Sequence, residues 1–313
     1  MKLDVKKVNN KIYYYLELKF RVLDKQVHFS KYIGLKKPSS NELKKLILTF
    51  YDNVIYKVSQ EHYTSNLYNL EDVIKTIILR NFFIKKYNTL SPIKQKQFKI
   101  DSIILFTLTT LTTEDVDINI QDVKNAYKNK SNLSREEIIC KNMIDAVNLV
   151  SNSNIELTID FLKKLHRTTM AEFETKTPGM FRVRPVHLIQ TDQKHPLGRE
   201  LNYQPPNYID ITKQLINFVD WYNTTELNPL EKAVISHYKL YMIHPFLDGN
   251  KRICRLIFNK VLVDSNFPML NISDKKGEYF KSLISAVEKN NPKEFAEFSY
   301  KQYLGQVKYF INK

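Results

Sequence analysis

Residues 244–255, with the sequence HPFLDGNKRICR, combine a histidine, a carboxylate, a glycine turn and three cationic side chains. The imidazole of His244 can act as a neutral base toward a hydroxyl group. Asp248 offers a hard oxygen ligand of the kind that magnesium binds. Arg252 and Arg255 are three residues apart, so on a helix they share one face and suit a polyphosphate. These residue types predict a site that binds an anion and removes a proton.

The segments on both sides of this stretch carry apolar residues at helical spacing, so two buried helices should position it. Pro245 and the pair Asp248-Gly249 end the first helix and turn the chain. The second helix is expected to begin near Asn250 or Lys251, with its unpaired backbone N–H groups facing the loop. A helix N-terminus of this kind is an anion-binding arrangement.

The stretch resembles the signature of the Fic family, which usually reads H-P-F-x-[DE]-G-N-[GK]-R-x-x-R and whose members transfer AMP from ATP to a protein hydroxyl. Nine defined positions match in order. By this resemblance His244 is the base, Asp248 holds Mg²⁺, Arg252 steadies the diphosphate and Arg255 meets the terminal phosphate of ATP. The backbone N–H groups that cradle the phosphates would be those of Gly249, Asn250 and Lys251. The implied function is a protein adenylyltransferase (AMPylation) that acts on a Ser, Thr or Tyr hydroxyl of a target protein.

Thr110 and Glu114 have the spacing of the inhibitory motif of many Fic proteins, [ST]-x-x-x-E-[GN], although Asp115 stands where Gly or Asn is usual. In the family this glutamate pairs with the second arginine of the signature, which is Arg255 in this chain. Such a pair would occupy the place of the terminal phosphate. The resemblance therefore implies autoinhibition, and an ordinary surface carboxylate at a helix end is the alternative.

Residues 177–188, TPGMFRVRPVHL, resemble the Fic flap, written P-G-x-F-R-x-x-x-V. The turn at Pro178-Gly179 and the alternation through Val186, His187 and Leu188 predict a hairpin at about 178–190. An exposed strand edge there could align a target segment through main-chain hydrogen bonds. His187 has no carboxylate or Cys partner at ligand spacing, so we expect it to pack in the flap rather than to bind a metal.

A third segment, GEYFKSLISAV, follows the signature. Tyr279 in it corresponds to an aromatic residue that often borders the adenine in the family, whereas Val287 stands where an asparagine is often found. The resemblance covers roughly residues 100–300.

The composition sets broad limits on the class of protein. With 313 residues and 43% hydrophobic residues, the chain can form one large helical domain with a smaller one attached. It contains no run of 18 or more apolar residues, and the sequence MKLDVKKVNN lacks the apolar core of a signal peptide. Cys140 and Cys254 are too few for a disulfide framework, so a cytoplasmic location is the simplest expectation.

The net charge of +15 is concentrated near the N-terminus, since residues 1–100 contain twenty Lys/Arg and eight Asp/Glu. Such a surface could attract nucleic acid or an acidic protein, but a solvated lysine-rich surface is the favoured interpretation. Residues 11–34 alternate aromatic or β-branched with polar positions, which predicts antiparallel strands. Tyr13, Tyr14 and Tyr15 could stack on bases, although sheet aromatics more often serve packing.

The predicted fold is mainly α: a Fic-type helical bundle with a β-hairpin flap at residues 96–313, preceded by a small basic α+β module at residues 1–95. Ser39 and Glu42 predict a capping box at the start of a helix. Further helices are predicted at 70–88, 97–112, 120–128, 134–150, 155–169, 209–221 and 229–243, with two more after the signature.

Lys251 keeps a second activity open. The Doc branch resembles this family but phosphorylates its target, and it has a lysine at this position. Gly249 and Arg255, which Doc proteins usually lack, favour AMP transfer. A third possibility is an inactive adaptor that binds nucleic acid or an acidic partner through residues 1–100. The predicted partner is a protein substrate, self-modification is open, and no membrane contact is expected.

Overall fold

The computed structural model describes residues 2–22, 25–62, 65–128, 131–151, 155–191, 200–272 and 275–312. Within these ranges the chain is mostly helical, as the sequence predicts, with eleven α-helices and five strands. It divides into two compact units, Met1–Phe82 and Phe83–Lys313. Among the described residues, no helix has the length and hydropathy needed to cross a bilayer.

The first unit opens with a three-stranded antiparallel sheet in the order β1-β2-β3. Its strands are β1 (Lys2–Val8), β2 (Lys11–Val22) and β3 (Lys25–Gly34). Asn9 and Asn10 join β1 to β2 with φ angles of 46° and 60°, a left-handed pair that suits a tight hairpin. The predicted strands over residues 11–34 are confirmed, and β1 adds a third strand to them.

Helix α1 (Ser40–His62) begins with the predicted capping box. The Ser39 N–H donates to Glu42 Oε2 at 2.9 Å, and the Glu42 N–H donates to Ser39 Oγ at 3.4 Å. Phe50 and Val54 of this helix are buried.

Helix α2 (Leu70–Thr89) contains the division between the two units. Its last turns belong to the second unit, where the rings of Phe83 and Tyr87 pack against Phe98. The division therefore falls earlier than residue 95, and a functional boundary at residue 95 stays a prediction.

The second unit is a helical bundle whose central pair is α8 and α9, which contact each other extensively. The helices are α3 (Pro92–Thr113), α4 (Ile120–Lys128), α5 (Arg135–Val150), α6 (Ile159–Thr169), α7 (Ile211–Thr224), α8 (Pro229–Ile243), α9 (Asn250–Asp264), α10 (Lys276–Glu288) and α11 (Lys293–Asn312). Each predicted helix is present, with ends shifted by a few residues, and α9 begins at Asn250 as expected.

The flap hairpin lies later in the chain than the sequence predicts. Strand β4 (Leu188–Thr191) pairs with β5 (Glu200–Tyr203), and the loop at 192–199 lies outside the described residues. The turn at Pro178-Gly179 is present, but residues 181–187 are not a strand. Arg182 ties that segment to the signature loop instead, because its N–H donates to the Pro245 carbonyl at 2.9 Å. The prediction of a hairpin at 178–190 was therefore wrong in position.

Candidate active site

The signature loop joins α8 to α9, and His244 is its first residue. His244 adopts a left-handed conformation, with φ 49° and ψ 58°, as the C-cap of α8. This backbone conformation is costly for a residue other than glycine. It is held by two hydrogen bonds: the His244 N–H donates to the Leu240 carbonyl at 3.1 Å, and Arg182 Nε donates to the His244 carbonyl at 2.8 Å.

Asn250 closes the loop on itself. The Phe246 N–H donates to Asn250 Oδ1 at 3.0 Å, and Asn250 Nδ2 donates to the Phe246 carbonyl at 2.8 Å. Gly249 has a φ of 74°, and a Cβ at this position would lie only 2.7 Å from Met170 Sδ. Both the backbone angle and the close approach therefore require glycine.

His166 of α6 contacts the signature loop through a hydrogen bond and a stacked ring. The Gly179 N–H donates to His166 Nδ1 at 2.8 Å, so the ring proton lies on Nε2 and is donated to the Asp248 carbonyl at 3.0 Å. The ring stacks on Phe246 with centroids 3.7 Å apart. Burial lowers the pKa of His166 to about 4, so the imidazole stays neutral and keeps this tautomer.

A cavity of about 250 Å³ opens beside the loop. It brings together eight of the residues that the sequence singled out. The described residues that line it are Glu114, His187, Leu188, Tyr241, His244, Leu247, Asp248, Gly249, Asn250 and Lys251. Residues from α3, the flap and the signature loop thus meet at one place.

His244 presents a neutral imidazole to this cavity. Burial, together with the smaller effects of the charges of Arg182 and Lys251, lowers the pKa of His244 to about 4, although the Tyr241 backbone and Asp248 oppose the shift. Within the described part of the chain, its Nδ1 atom is buried without a hydrogen-bond partner. At neutral pH the ring can accept a proton.

Arg252 is a buried cation that lacks a full set of partners. The residue is 5% exposed, and its Nη2 atom lies 3.7 Å from Asp248 Oδ1. Its Nε and Nη1 atoms are buried and meet no hydrogen-bond acceptor among the described residues. A buried guanidinium in this condition favours the binding of an anion.

The C-terminus of α3 places a carboxylate between two cations of α9. Glu114 Oε1 lies 2.8 Å from Arg255 Nη2, and Glu114 Oε2 lies 3.3 Å from Lys251 Nζ. Burial opposes ionisation of Glu114, but the charges of Arg255 and Lys251 outweigh it and lower the pKa to about 2. Arg255 also donates to the Thr110 carbonyl at 3.1 Å.

The turn that follows Glu114 accounts for the presence of an aspartate at position 115. Asp115 has a φ of 58°, the Asp115 N–H donates to the Thr112 carbonyl, and the Val116 N–H donates to the Leu111 carbonyl. This is a Schellman motif, in which glycine or asparagine is preferred at the left-handed position. Asp115 adopts the same conformation with a short polar side chain.

Tyr279 lies in the core next to Arg255. Its side chain is wholly buried, and the residue is not among the described residues that line the cavity. The hydroxyl lies 2.9 Å from His237 Nε2 and 3.4 Å from Arg255 Nη1. The ring therefore contacts Arg255 from the core side, and the assignment of Tyr279 to nucleotide binding stays a prediction.

Two positioning residues were missed in the sequence. Arg182 is 3% exposed and, besides His244, holds the carbonyls of Arg184 at 3.2 Å and Pro206 at 2.6 Å. His166 is fully buried. The arginine of the flap motif P-G-x-F-R was the available signal for the first, whereas nothing in the sequence distinguished the second from a core histidine.

Comparison with known proteins agrees with this geometry. Residues 156–262 match the Fic/DOC family. Protein adenylyltransferase fic-1 of Caenorhabditis elegans is 30% identical over 170 residues, which are 51% of this chain and 31% of that protein. Protein adenylyltransferase Fic of Nematostella vectensis is 30% identical over 175 residues, 53% of this chain and 38% of that protein. The chain thus spans about a third of the length of the curated relatives it matches.

Solved structures share the fold. A structure of Fic-1 from C. elegans superposes with a TM-score of 0.62 at 21% identity, covering 88% of this chain and 78% of that one. A Fic domain containing signaling protein from Bacteroides thetaiotaomicron gives a TM-score of 0.60 at 23% identity, covering 77% and 91%. Residues 156–262 thus match the Fic/DOC family, and the chain shares its fold with solved structures of Fic proteins.

Proposed function

We propose that this chain is a protein adenylyltransferase that transfers AMP from ATP to a Ser, Thr or Tyr hydroxyl of a protein. The observation that carries the proposal is one cavity in which a neutral His244 faces Asp248 and the first turn of α9. The relatives named protein adenylyltransferase support the same chemistry. The target is unidentified, and self-modification is included in the proposal.

In the proposed reaction His244 takes the proton of the target hydroxyl. The hydroxyl oxygen then bonds to the α-phosphorus of ATP, and the bond from that phosphorus to the bridging oxygen breaks, releasing pyrophosphate. First-turn N–H groups of α9, at Asn250 and Lys251, meet the phosphate oxygens. The unpaired guanidinium atoms of Arg252 hold the diphosphate, and Arg255 holds the terminal phosphate.

The residues of the cavity fit a magnesium ion. The side chain of Asp248 is 43% exposed and lines the cavity, while its Oδ1 accepts from the Gly249 N–H at 2.6 Å. Among the described residues, no group of three or more acidic, His or Cys side chains could hold a metal by itself. One carboxylate combined with substrate phosphates is the usual magnesium arrangement in nucleotide sites. When bound, Mg²⁺ would offset the negative charge of the phosphates.

Glu114 is proposed to inhibit the enzyme. Its carboxylate forms ion pairs with both Arg255 and Lys251, so the terminal phosphate of ATP would have to compete with Glu114 for these cations. Replacing Glu114 with glycine releases both cations and removes one negative charge from the cavity. We therefore expect Glu114→Gly to bind ATP more tightly and to transfer faster.

The flap is proposed to dock the target. His187 and Leu188 line the cavity, and Val186 precedes them at the entry to β4. A target segment that pairs with this hairpin would bring its hydroxyl toward His244 by main-chain contacts.

The cytoplasmic location expected from the sequence also stays a proposal.

Labelled ATP tests the proposed reaction. Glu114→Gly protein is incubated with magnesium and with ATP labelled at either the α or the γ phosphate, and Glu114→Gly/His244→Ala serves as the matched control. The proposal predicts that only the α label stays on protein and that the control stays unlabelled. Retention of the γ label alone would instead establish phosphate transfer, the second activity that Lys251 keeps open.

A further inference from the structure

The sheet of Met1–Phe82 has two unlike faces. Leu16 and Leu18 are buried on one face, and β2 contacts α1. The alternate positions of β2 place Tyr13 and Tyr15 on the opposite face, where Tyr32 of β3 lies beside them. The ring centroid of Tyr32 is 6.0 Å from that of Tyr13 and 5.4 Å from that of Tyr15. We call the surface formed by these rings and their neighbours on this side the tyrosine face.

The tyrosine face keeps aromatic surface accessible to solvent. Tyr32 is 50% exposed, and Tyr13 and Tyr15 are each partly exposed. Phe50 and Val54 show that the unit has a buried apolar core, so these three rings are not needed to fill it. Aromatic rings that remain on an outer sheet surface are available to a partner.

Positive charge is concentrated in the same sheet. Residues 1–37 contain ten Lys/Arg and three Asp/Glu, whereas residues 38–82 contain five of each. The whole charge surplus of the unit therefore belongs to the segment that forms the sheet. On the tyrosine face, exposed cationic or titratable side chains flank the rings: Lys6, Lys11, Lys19 and His28.

The two carboxylates of this face, Glu17 and Asp4, offset part of that charge but, among the described residues, leave Lys11 and Lys19 without an ion pair to them. Glu17 has only 14% of its side chain exposed and lies 3.6 Å from Lys6 and 3.8 Å from His28. Lys6 Nζ also sits 4.7 Å from the ring centroid of Tyr15. Asp4 is the other acidic residue that the register places here, opposite Tyr15. Lys11 and Lys19 extend the positive surface to the two ends of the row of rings.

From this combination we infer that the tyrosine face binds single-stranded nucleic acid. Unpaired bases would stack on the exposed rings, and the phosphates would meet the flanking lysines. In a duplex the base faces already stack on each other, so the rings add nothing there. An acidic polypeptide would use the lysines but not the tyrosines. This binding function is independent of the proposed AMP transfer.

The inference is tested by fluorescence anisotropy of the full chain with oligo(dT) and oligo(U). Oligonucleotides of about 20 nucleotides are long enough to cover the three rings. Tyr32→Ala is expected to weaken binding by about 10-fold, whereas Tyr32→Phe keeps the ring and the affinity. Tyr56→Ala, a change at a 66% exposed tyrosine of α1, is the matched control and should have no effect. Far-UV circular dichroism verifies that each variant is folded.

A second pair of variants tests the electrostatic part even if Tyr32→Ala fails to fold. Lys19→Glu on the tyrosine face should weaken binding and reduce its salt dependence, whereas Lys7→Glu, an exposed lysine on the other face of β1, should do so much less. If Lys19→Glu and Lys7→Glu weakened binding equally, the inference would be overturned. Equal affinity for duplex DNA, equally strong competition by poly-glutamate, or no binding at low salt would also overturn it.

Discussion

Lys251 allows a quantitative test of the inhibitory contact. Its Nζ atom lies 3.3 Å from Glu114 Oε2, with 29% of the lysine side chain and 11% of the glutamate side chain exposed. At an effective dielectric constant of about 20, the direct attraction is about 5 kcal/mol. Desolvation of both groups and the ordering of the lysine offset most of it, leaving about 1 kcal/mol net. Lys251→Met should therefore weaken the inhibited state by about 5-fold.

The assay is a double-mutant cycle that measures α-label transfer in wild type, Lys251→Met, Glu114→Gly and the double variant. We expect Lys251→Met to raise the rate about 5-fold with Glu114 present and not to raise it when residue 114 is glycine. Methionine keeps most of the length of the side chain and the backbone N–H, so the main loss is the charged ammonium group. Lys276→Met is the matched control, since its partner Asp115 is 83% exposed and the pair contributes little.

Two results would refute the reasoning about this contact. One is the same change in rate from Lys251→Met in both backgrounds, since that would mean no coupling to Glu114. The other is a loss of activity with Glu114 present, since Lys251 would then serve the substrate more than the inhibited state.

Three further changes have expected outcomes. Arg182→Met leaves buried carbonyls unpaired and should lower the free energy of unfolding by about 2 to 4 kcal/mol, measured by urea denaturation. Arg184→Met changes an exposed arginine and is the control. An effect of Arg182→Met no larger than that of Arg184→Met would contradict the prediction. Gly249→Ala forces a side chain into φ 74° and against a methionine sulfur, and should cost about 1 to 2 kcal/mol or more. Gly277→Ala, where a Cβ meets nothing within 4 Å, is its control. Because burial lowers the pKa of His244 to about 4, kcat/KM of the activated enzyme should hold down to about pH 5 and fall only toward pH 4; an acid limb near pH 6.5 would show that the base is not in this environment.

The parts of the site that lie close together in the chain could be predicted from the sequence. Pro245 and Asp248-Gly249 turn the chain between two buried helices, so the loop and the start of α9 at Asn250 followed from local rules. The pairing of Glu114 with Arg255 joins residues 141 positions apart. It was expected because the spacing resembled a family motif, and the structure shows the contact.

Contacts with distant backbone atoms could not be predicted in the same way. Arg182 donates a hydrogen bond to the carbonyl of His244, 62 positions away, and His166 donates one to the carbonyl of Asp248, 82 positions away. Neither contact leaves a spacing pattern in the sequence. Residues 181–187 do not form a strand, although their alternation is typical of one, and the Arg182 N–H in this segment donates to the Pro245 carbonyl. The burial of Tyr279 was likewise not predictable, because an aromatic residue near a nucleotide site can equally pack in the core against a cation.

Intact-mass analysis of Glu114→Gly protein after incubation with ATP and magnesium tests the central claim most directly, because self-modification needs no knowledge of the target. The account predicts a mass increase of one adenylyl group that is absent from Glu114→Gly/His244→Ala and weaker in protein that retains Glu114. An increase of one phosphate group instead, or an adenylyl group that persists without His244, would contradict it.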